Sequence, residues 1–326
     1  MDLDTISQDL FSPVGAYPLT RETAYELADW PLDKLPELLN LANNTRKHYK
    51  GDKVFTCGIL NAKSGKCSED CAFCAQSGHN RAQIEDYPLM SQREIVEHGL
   101  KYAESGASNF SIVISGLGPG QRELDTVCEA VQEIKSRTNL SACASLGTLN
   151  PDMAHCLKQA GLTNYHHNLE TAPSHFHRIC STHDVDGDIQ TLKTVQDSGV
   201  RICSGGIFGL GESWQQRVEL ALTLQELDVD SIPVNFLNPI PGTPLQNYPI
   251  LAPLEALQCI AIYRLINREK DIVVCGGREV TLKDYQSWVF LAGANGLMIG
   301  NYLTTQGRSI EADMEMIRDF GLKNAC

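Results

Sequence analysis

Basic residues are scarce in this 326-residue chain: 27 Lys and Arg stand against 40 Asp and Glu, a formal net charge of −13. That balance argues against nucleic acid as a partner, because a phosphate backbone selects a basic face. No apolar run approaches the ~20 residues that a bilayer-spanning helix needs. The opening Met1-Asp2-Leu3-Asp4 is acidic and lacks the charged-then-apolar layout of a signal peptide. The expectation is a cytoplasmic protein with no membrane contact. No low-complexity tract or linker divides the chain, which favours one main domain.

Cysteine, in contrast, is abundant, with 12 residues. A disulfide scaffold is a poor account of them, since a chain of this length builds a core without staples. Cys128, Cys156 and Cys259 fall in helix-like patterns and read as small buried hydrophobes. Cys180 has no context in the sequence, and Cys326 is terminal. Cys67, Cys71 and Cys74 differ: their Cys-x3-Cys-x2-Cys spacing lets three sulfurs converge on one centre. Such a group holds three corners of a 4Fe–4S cluster and leaves one iron open to a small molecule. The competing account is a structural Cys3His zinc site with His79 as fourth ligand.

The pattern around this loop is regular. Residues 21–50 carry helical periodicity, acidic early and basic late, and predict a helical extension over residues 1–50. Residues 51–326 then alternate. Strand-like stretches lie at 54–60, 110–114, 140–146, 163–169, 200–208, 232–237, 272–275 and 297–299. Helical patterns follow them near 91–105, 121–137, 151–160, 186–198, 213–227, 252–269, 281–292 and 309–320. Gly106, Gly161, Gly199 and Gly321 stand where helices should stop. Eight strand–helix units predict an α/β fold, a (β/α)8 TIM-type barrel, with the Cys67 loop on the catalytic face at the strands' C-terminal ends. On that face Asn168 and Glu170, two apart, suit ribose hydroxyls or the capping of the next helix. The glycine-rich run from Gly205 to Gly211 leaves room for a cofactor to approach the backbone.

Ordered stretches then carry a resemblance. They are Lys63-Ser64-Gly65 before the cysteine loop, Ala142 to Leu149, His167-Asn168-Leu169-Glu170-Thr171 and Cys203-Ser204-Gly205-Gly206-Ile207. They continue with Pro233-Val234-Asn235, Gly242 to Leu245, Gly277-Arg278-Glu279, Ala292 to Asn295 and Leu303-Thr304-Thr305. Through them the chain resembles the radical S-adenosylmethionine superfamily and, within it, the biotin synthase family. The resemblance implies that Cys67, Cys71 and Cys74 hold a 4Fe–4S cluster whose open iron S-adenosylmethionine chelates. It implies a 5′-deoxyadenosyl radical, dethiobiotin as substrate, and a sulfur donated by an auxiliary iron–sulfur cluster. It also implies cofactor contacts from Phe73, Asn168, Glu170, Gly206 and Ile207, and substrate contacts from Asn168, Asn235, Thr304 and Thr305. A flavodoxin- or ferredoxin-type electron donor and a homodimer are family expectations.

The chain departs from the family at the auxiliary cluster. The resemblance implies that the better-known members hold a 2Fe–2S cluster with three cysteines and an arginine. Cys143 and Cys203 match two of these, while Ser111 and Val273 occupy the other two positions. Cys57 and Cys275 stand on the first and seventh strands, so four odd-strand cysteines would form one layer around the barrel axis. The expectation is a 4Fe-type auxiliary cluster held by three or all four of Cys57, Cys143, Cys203 and Cys275, against the alternative that Cys57 and Cys275 are ordinary core residues. The family's arginine for the cofactor carboxylate falls near Asp188, with Arg178 as a nearby substitute. Two other readings stand beside this one: another radical enzyme of the same barrel, of hydrogenase-maturase or methylornithine-synthase type, or a non-catalytic iron–sulfur carrier.

Overall fold

The computed structural model describes Ile6, Ser7, Leu10, Phe11 and residues 19–325; Cys326 and the rest of the first eighteen residues lie outside the described residues. Local signals set the helix ends. Ser91 caps the first barrel helix and forms a capping box with Glu94, and Ser213 with Gln216 does the same for a later one. Gly106, Gly161, Gly199 and Gly321 all take positive φ where helices end.

The helices α1 (Arg21–Ala28) and α2 (Leu35–Lys50) precede β1 (Lys53–Lys63). The order then runs α3 (Gln92–Glu104), β2 (Asn109–Ile114), α4 (Gln121–Arg137), β3 (Ser141–Ser145), α5 (Pro151–Gln159) and β4 (Asn164–His166). It continues with α6 (Pro173–Phe176), α7 (Val185–Asp197), β5 (Arg201–Cys203), β6 (Gly206–Phe208), α8 (Trp214–Glu226), β7 (Ser231–Phe236) and α9 (Pro253–Ile266). The last elements are β8 (Asp271–Val274), α10 (Arg278–Leu282), β9 (Gly296–Ile299), α11 (Ile310–Asp319) and β10 (Lys323–Asn324).

The strands pair in parallel in chain order, and β9 pairs back onto β1 with Phe55 beside Gly296 and Cys57 beside Met298. The sheet is therefore a closed eight-stranded barrel, because β5 and β6 are two pieces of one strand position. The expected (β/α)8 architecture is present. The break in the fifth strand has a local cause: a Cβ at Gly205 would lie 2.0 Å from the Pro233 carbonyl oxygen, so the chain passes there on glycine. Two details differ from the sequence reading. The helix predicted at 281–292 is the short α10 followed by a 3-10 segment, Lys283–Val289, with Lys283 at φ 48. And β10, which continues the sheet beside Lys53 and Val54, has too few residues to give a periodic signal.

Leu38, Ala42 and Ile260, all fully buried, belong to the layer where α2 packs on α9 outside the barrel. Inside the barrel the side chains are shorter and more polar, and they enclose a cavity of about 490 Å³.

Candidate active site

The cysteine loop leaves β1 through a left-handed turn, with Gly65 at φ 80 and Lys66 at φ 51. Its ends are tied by backbone bonds: Cys67 N–H donates to Gln76 O at 3.0 Å and Gly78 N–H to Cys67 O at 2.8 Å. Asn80 then holds the middle, its amide donating to Cys71 O (3.2 Å) and Cys74 O (2.8 Å). Ala72 N–H donates to Ile179 O at 2.8 Å, fastening the loop to the segment after α6. Burial pushes the Cys71 thiol far up and the Cys74 thiol to about 11. Three half-buried sulfurs in one short loop, two of them costly to ionise without a cation, suit a metal centre and not a reactive thiol. Phe73, Cys74, Ala75 and Gln76 form one wall of the cavity. His79 is exposed and its Nε2 lies 2.9 Å from Ser68 O, so the backbone holds the ring that the zinc account required.

Across the cavity stand Asn168 and Glu170, beyond β4. Asn168 Oδ1 accepts from Gly205 N–H at 3.1 Å, and its amide donates to Glu170 Oε2 at 3.2 Å. Glu170 sits at φ 60, which turns its carbonyl onto Ile207 N–H at 2.8 Å. Burial, reinforced by Asp188, pushes its carboxyl up to about 8. Below that pH the group is a protonated acid, able to donate one hydrogen bond and accept another. Ile207 lines the cavity, but Gly206 is buried behind the wall: a Cβ there would lie 2.6 Å from Glu170 O. The glycines at 205 and 206 allow close backbone contact, Gly205 with Pro233 and Gly206 with Glu170. Asn235 clasps two strands, donating to Gly206 O at 3.2 Å and accepting from Gly276 N–H at 3.0 Å. Each end of that amide keeps one further hydrogen-bonding position. Thr304 and Thr305 lie on the cavity wall beside Tyr302.

Deeper in, Cys57, Cys143, Cys203 and Cys275 all face the cavity, with Ser111 and Val273 between them. Cys57 donates to Cys143, and Asn164 donates to the same sulfur at 3.3 Å. The Cys57 hydrogen bond holds the Cys143 thiol below its ordinary value, while Cys57 itself is raised. Burial raises Cys203 to about 12 and Cys275 well above the usual thiol range. Cys57 is raised in part by Cys143, Cys275 and Cys203, so the four sulfurs are neighbours in the cavity. Among the described residues they are not within 4.8 Å of one another as a single ion would need. Four sulfurs around one cavity fit a polynuclear iron–sulfur cluster.

Arg178 is solvent-exposed and does not line the cavity, and Asp188 is buried against His167 at 2.9 Å. Neither supplies a cation at the cofactor site. Cys128 and Cys259 are buried as expected, and Cys156 is half-buried with its sulfur 3.4 Å from that of Cys128. The sequence reading missed His166, which faces the cavity and which burial lowers to about 4, and it missed Tyr302. Their position at the strand ends was the available signal.

The barrel and the three-cysteine loop define a radical S-adenosylmethionine enzyme, and residues 62–224 match the Radical SAM superfamily. Residues 233–323 match the Biotin and Thiamin Synthesis associated domain. Biotin synthase of Syntrophus aciditrophicus is 52% identical over 304 residues, 93% of this chain and 94% of the relative. Biotin synthase of Nitratidesulfovibrio vulgaris (strain Hildenborough) is 49% identical over 322 residues, 99% and 88%. The chain belongs to the biotin synthase family. Among solved structures it is similar in fold to methylornithine synthase, with TM-score 0.85 at 20% identity, covering 98% of this chain and 97% of the other. A FeFe-hydrogenase maturase from Carboxydothermus hydrogenoformans gives 0.82 at 16% identity, covering 99% and 79%. Those two likenesses concern the barrel alone. The family identity makes the chain an enzyme that inserts sulfur, and it implies a 4Fe–4S cluster and S-adenosylmethionine. Among the described residues no helix is long and apolar enough to cross a membrane.

Proposed function

We propose that this enzyme converts dethiobiotin to biotin, drawing the sulfur from an auxiliary 4Fe-type cluster held by three or all four of Cys57, Cys143, Cys203 and Cys275. The observation that carries this reading is that four cysteines face one cavity while Ser111 and Val273 stand at the two remaining family ligand positions. A 2Fe–2S rhomb would be left with two of its family ligands; a cubane has one corner for each sulfur.

In this reading Cys67, Cys71 and Cys74 hold the 4Fe–4S cluster, which with S-adenosylmethionine supplies the hydrogen-abstracting chemistry. The chain's own groups bind and orient. Phe73 and Ile207 supply apolar walls, and Asn168 and Glu170 meet ribose hydroxyls, the latter as a neutral acid below pH 8. Gly206 acts through the backbone it presses on Glu170. Asn235 offers its one free donor and one free acceptor position to the ureido ring. Thr304 and Thr305 stand toward the substrate tail. The buried cavity keeps water from a reactive centre. We further propose a helical extension over residues 1–50 on a barrel over 51–326, a flavodoxin- or ferredoxin-type donor, and a homodimer.

Two measurements test the reading. Anaerobic incubation with S-adenosylmethionine, a reductant and dethiobiotin should yield biotin; 5′-deoxyadenosine without biotin would remove the substrate assignment. Mössbauer spectra of the reconstituted protein should show two 4Fe-type centres. An auxiliary 2Fe–2S signal unchanged in Cys57→Ala and Cys275→Ala would exclude the four-cysteine layer as its holder.

A further inference from the structure

Beside the cysteine loop lies a second group of ligand-type side chains. Cys180, 5% exposed, sits on the segment between α6 and α7 with its sulfur 3.9 Å from that of Cys71. His183 Nδ1 is 3.2 Å from the same Cys180 sulfur. The ligand atoms of Cys71, Cys180 and His183 all lie within 4.8 Å of one another, the one such set of three among the described residues. A tetrahedral ion with bonds of about 2.3 Å to sulfur and 2.0 Å to nitrogen separates two sulfurs by about 3.8 Å and sulfur from nitrogen by about 3.5 Å. The sulfur–sulfur separation of 3.9 Å and the Cys180 sulfur–nitrogen separation of 3.2 Å lie within about 0.3 Å of those values, and the third lies within 4.8 Å.

The surroundings favour a cation as well. Asp188 Oδ2 lies 3.6 Å from His183 Nε2, the place of the carboxylate that orients a ligating histidine, and His167 holds Asp188 from the far side at 2.9 Å. Asp70 accepts from the backbone N–H of Ser181 at 2.9 Å and of Thr182 at 3.3 Å, so the Cys180 segment is locked to the cysteine loop. Glu69 Oε2 adds a second carboxylate 2.8 Å from His183 Nδ1. Three carboxylates, two sulfurs and an imidazole converge here, with Asp70 Oδ1 3.2 Å from the Cys180 sulfur.

We propose that the cluster-free chain binds one divalent first-row ion, ferrous iron or zinc, through Cys71, Cys180 and His183. The three protein ligands leave a fourth corner open, as in sites that exchange what they hold. Cys71 is common to this set and to the cluster loop, so the two are filled in alternation; that clause rests on the cluster reading above, while the ion site does not. Ferrous iron here stands one sulfur away from the cluster position and primes its assembly. Zinc, bound more tightly by the same donors, blocks it.

The test is an anaerobic titration of reduced, cluster-free, full-length protein with Co2+, read by thiolate-to-cobalt charge transfer and d–d absorption. One equivalent should bind with a four-coordinate spectrum that persists in the Cys67→Ser/Cys74→Ser double variant. Cys180→Ser and His183→Gln should each lose it, and Asp188→Asn should weaken binding by about 10–100-fold. Zinc should displace the cobalt, and prior zinc loading should slow cluster reconstitution while ferrous loading speeds it. A spectrum abolished in the Cys67/Cys74 double variant and unchanged in Cys180→Ser would place the ion in the cluster loop and overturn the proposal. If Cys180→Ser does not fold, His183→Gln decides alone. Failure of the cluster reading would appear separately, in the Mössbauer spectra.

Discussion

At the scale of single residues, position in the barrel sets the chemistry of each group. His166 is the clearest case for pH. Its neutral form is favoured in the folded chain, since burial lowers it from the ordinary value to about 4. A lowered folded-state value means that the unfolded chain takes up the proton first as pH falls. Stability tied to His166 is therefore full above about pH 6.5 and is lost toward pH 4. Thermal melting of the cluster-free protein should fall between pH 7 and pH 5, and His166→Gln should fall less. Parallel losses in the two proteins would show that other groups govern the acid limb. Gly205 gives a steric prediction. Alanine there would press on the Pro233 carbonyl and should cost about 1–3 kcal/mol or more, read from urea midpoints. An unchanged midpoint would mean that the fifth strand moves aside without cost.

At the scale of elements, the loop after β1 is held by hydrogen bonds from outside it, and Asn80 supplies two. Asn80→Ala removes two donors, each worth about 0.5–1.5 kcal/mol, and frees the carbonyls of Cys71 and Cys74. Overall melting should change little, but iron should leave the reconstituted protein faster under a chelator. A wild-type release rate would make the tether redundant. Elements were the most legible level in the sequence. Capping boxes at Ser91 and Ser213, and glycine stops at 106, 161, 199 and 321, place helix ends through local bonds that any reader of the chain can anticipate. Strand five is broken where Gly205 passes the Pro233 carbonyl of the neighbouring strand, a contact that no local pattern records.

At the scale of the whole molecule, closure of the barrel brings distant units under shared constraints. Arg278, at the start of α10, pairs with Asp313 on α11, with side chains 1% and 0% exposed. This couples the seventh and eighth units just before the sheet returns to β1. Asp313→Ala removes the nearer of two carboxylates from a buried guanidinium, leaving Glu279 at 3.4 Å, and should cost about 1–3 kcal/mol by denaturant unfolding. A loss below 1 kcal/mol would show that Arg278 reaches solvent instead.

The sequence by itself determined the alternation of strand and helix, the family, and the three-cysteine loop, because each is written in local spacing. It also pointed to four odd-strand cysteines that face one cavity, since the side-chain period of two and the strand count fix which residues face inward. Only the tertiary structure decided which of the remaining polar residues meet. Cys180 lies more than a hundred positions from Cys71, and its sulfur comes within 3.9 Å only because α6 packs beside the loop. Asp188 turned out to serve two histidines and not the cofactor. Contacts of that range depend on how helices and loops fold back over the barrel mouth, and no local pattern in the chain records it.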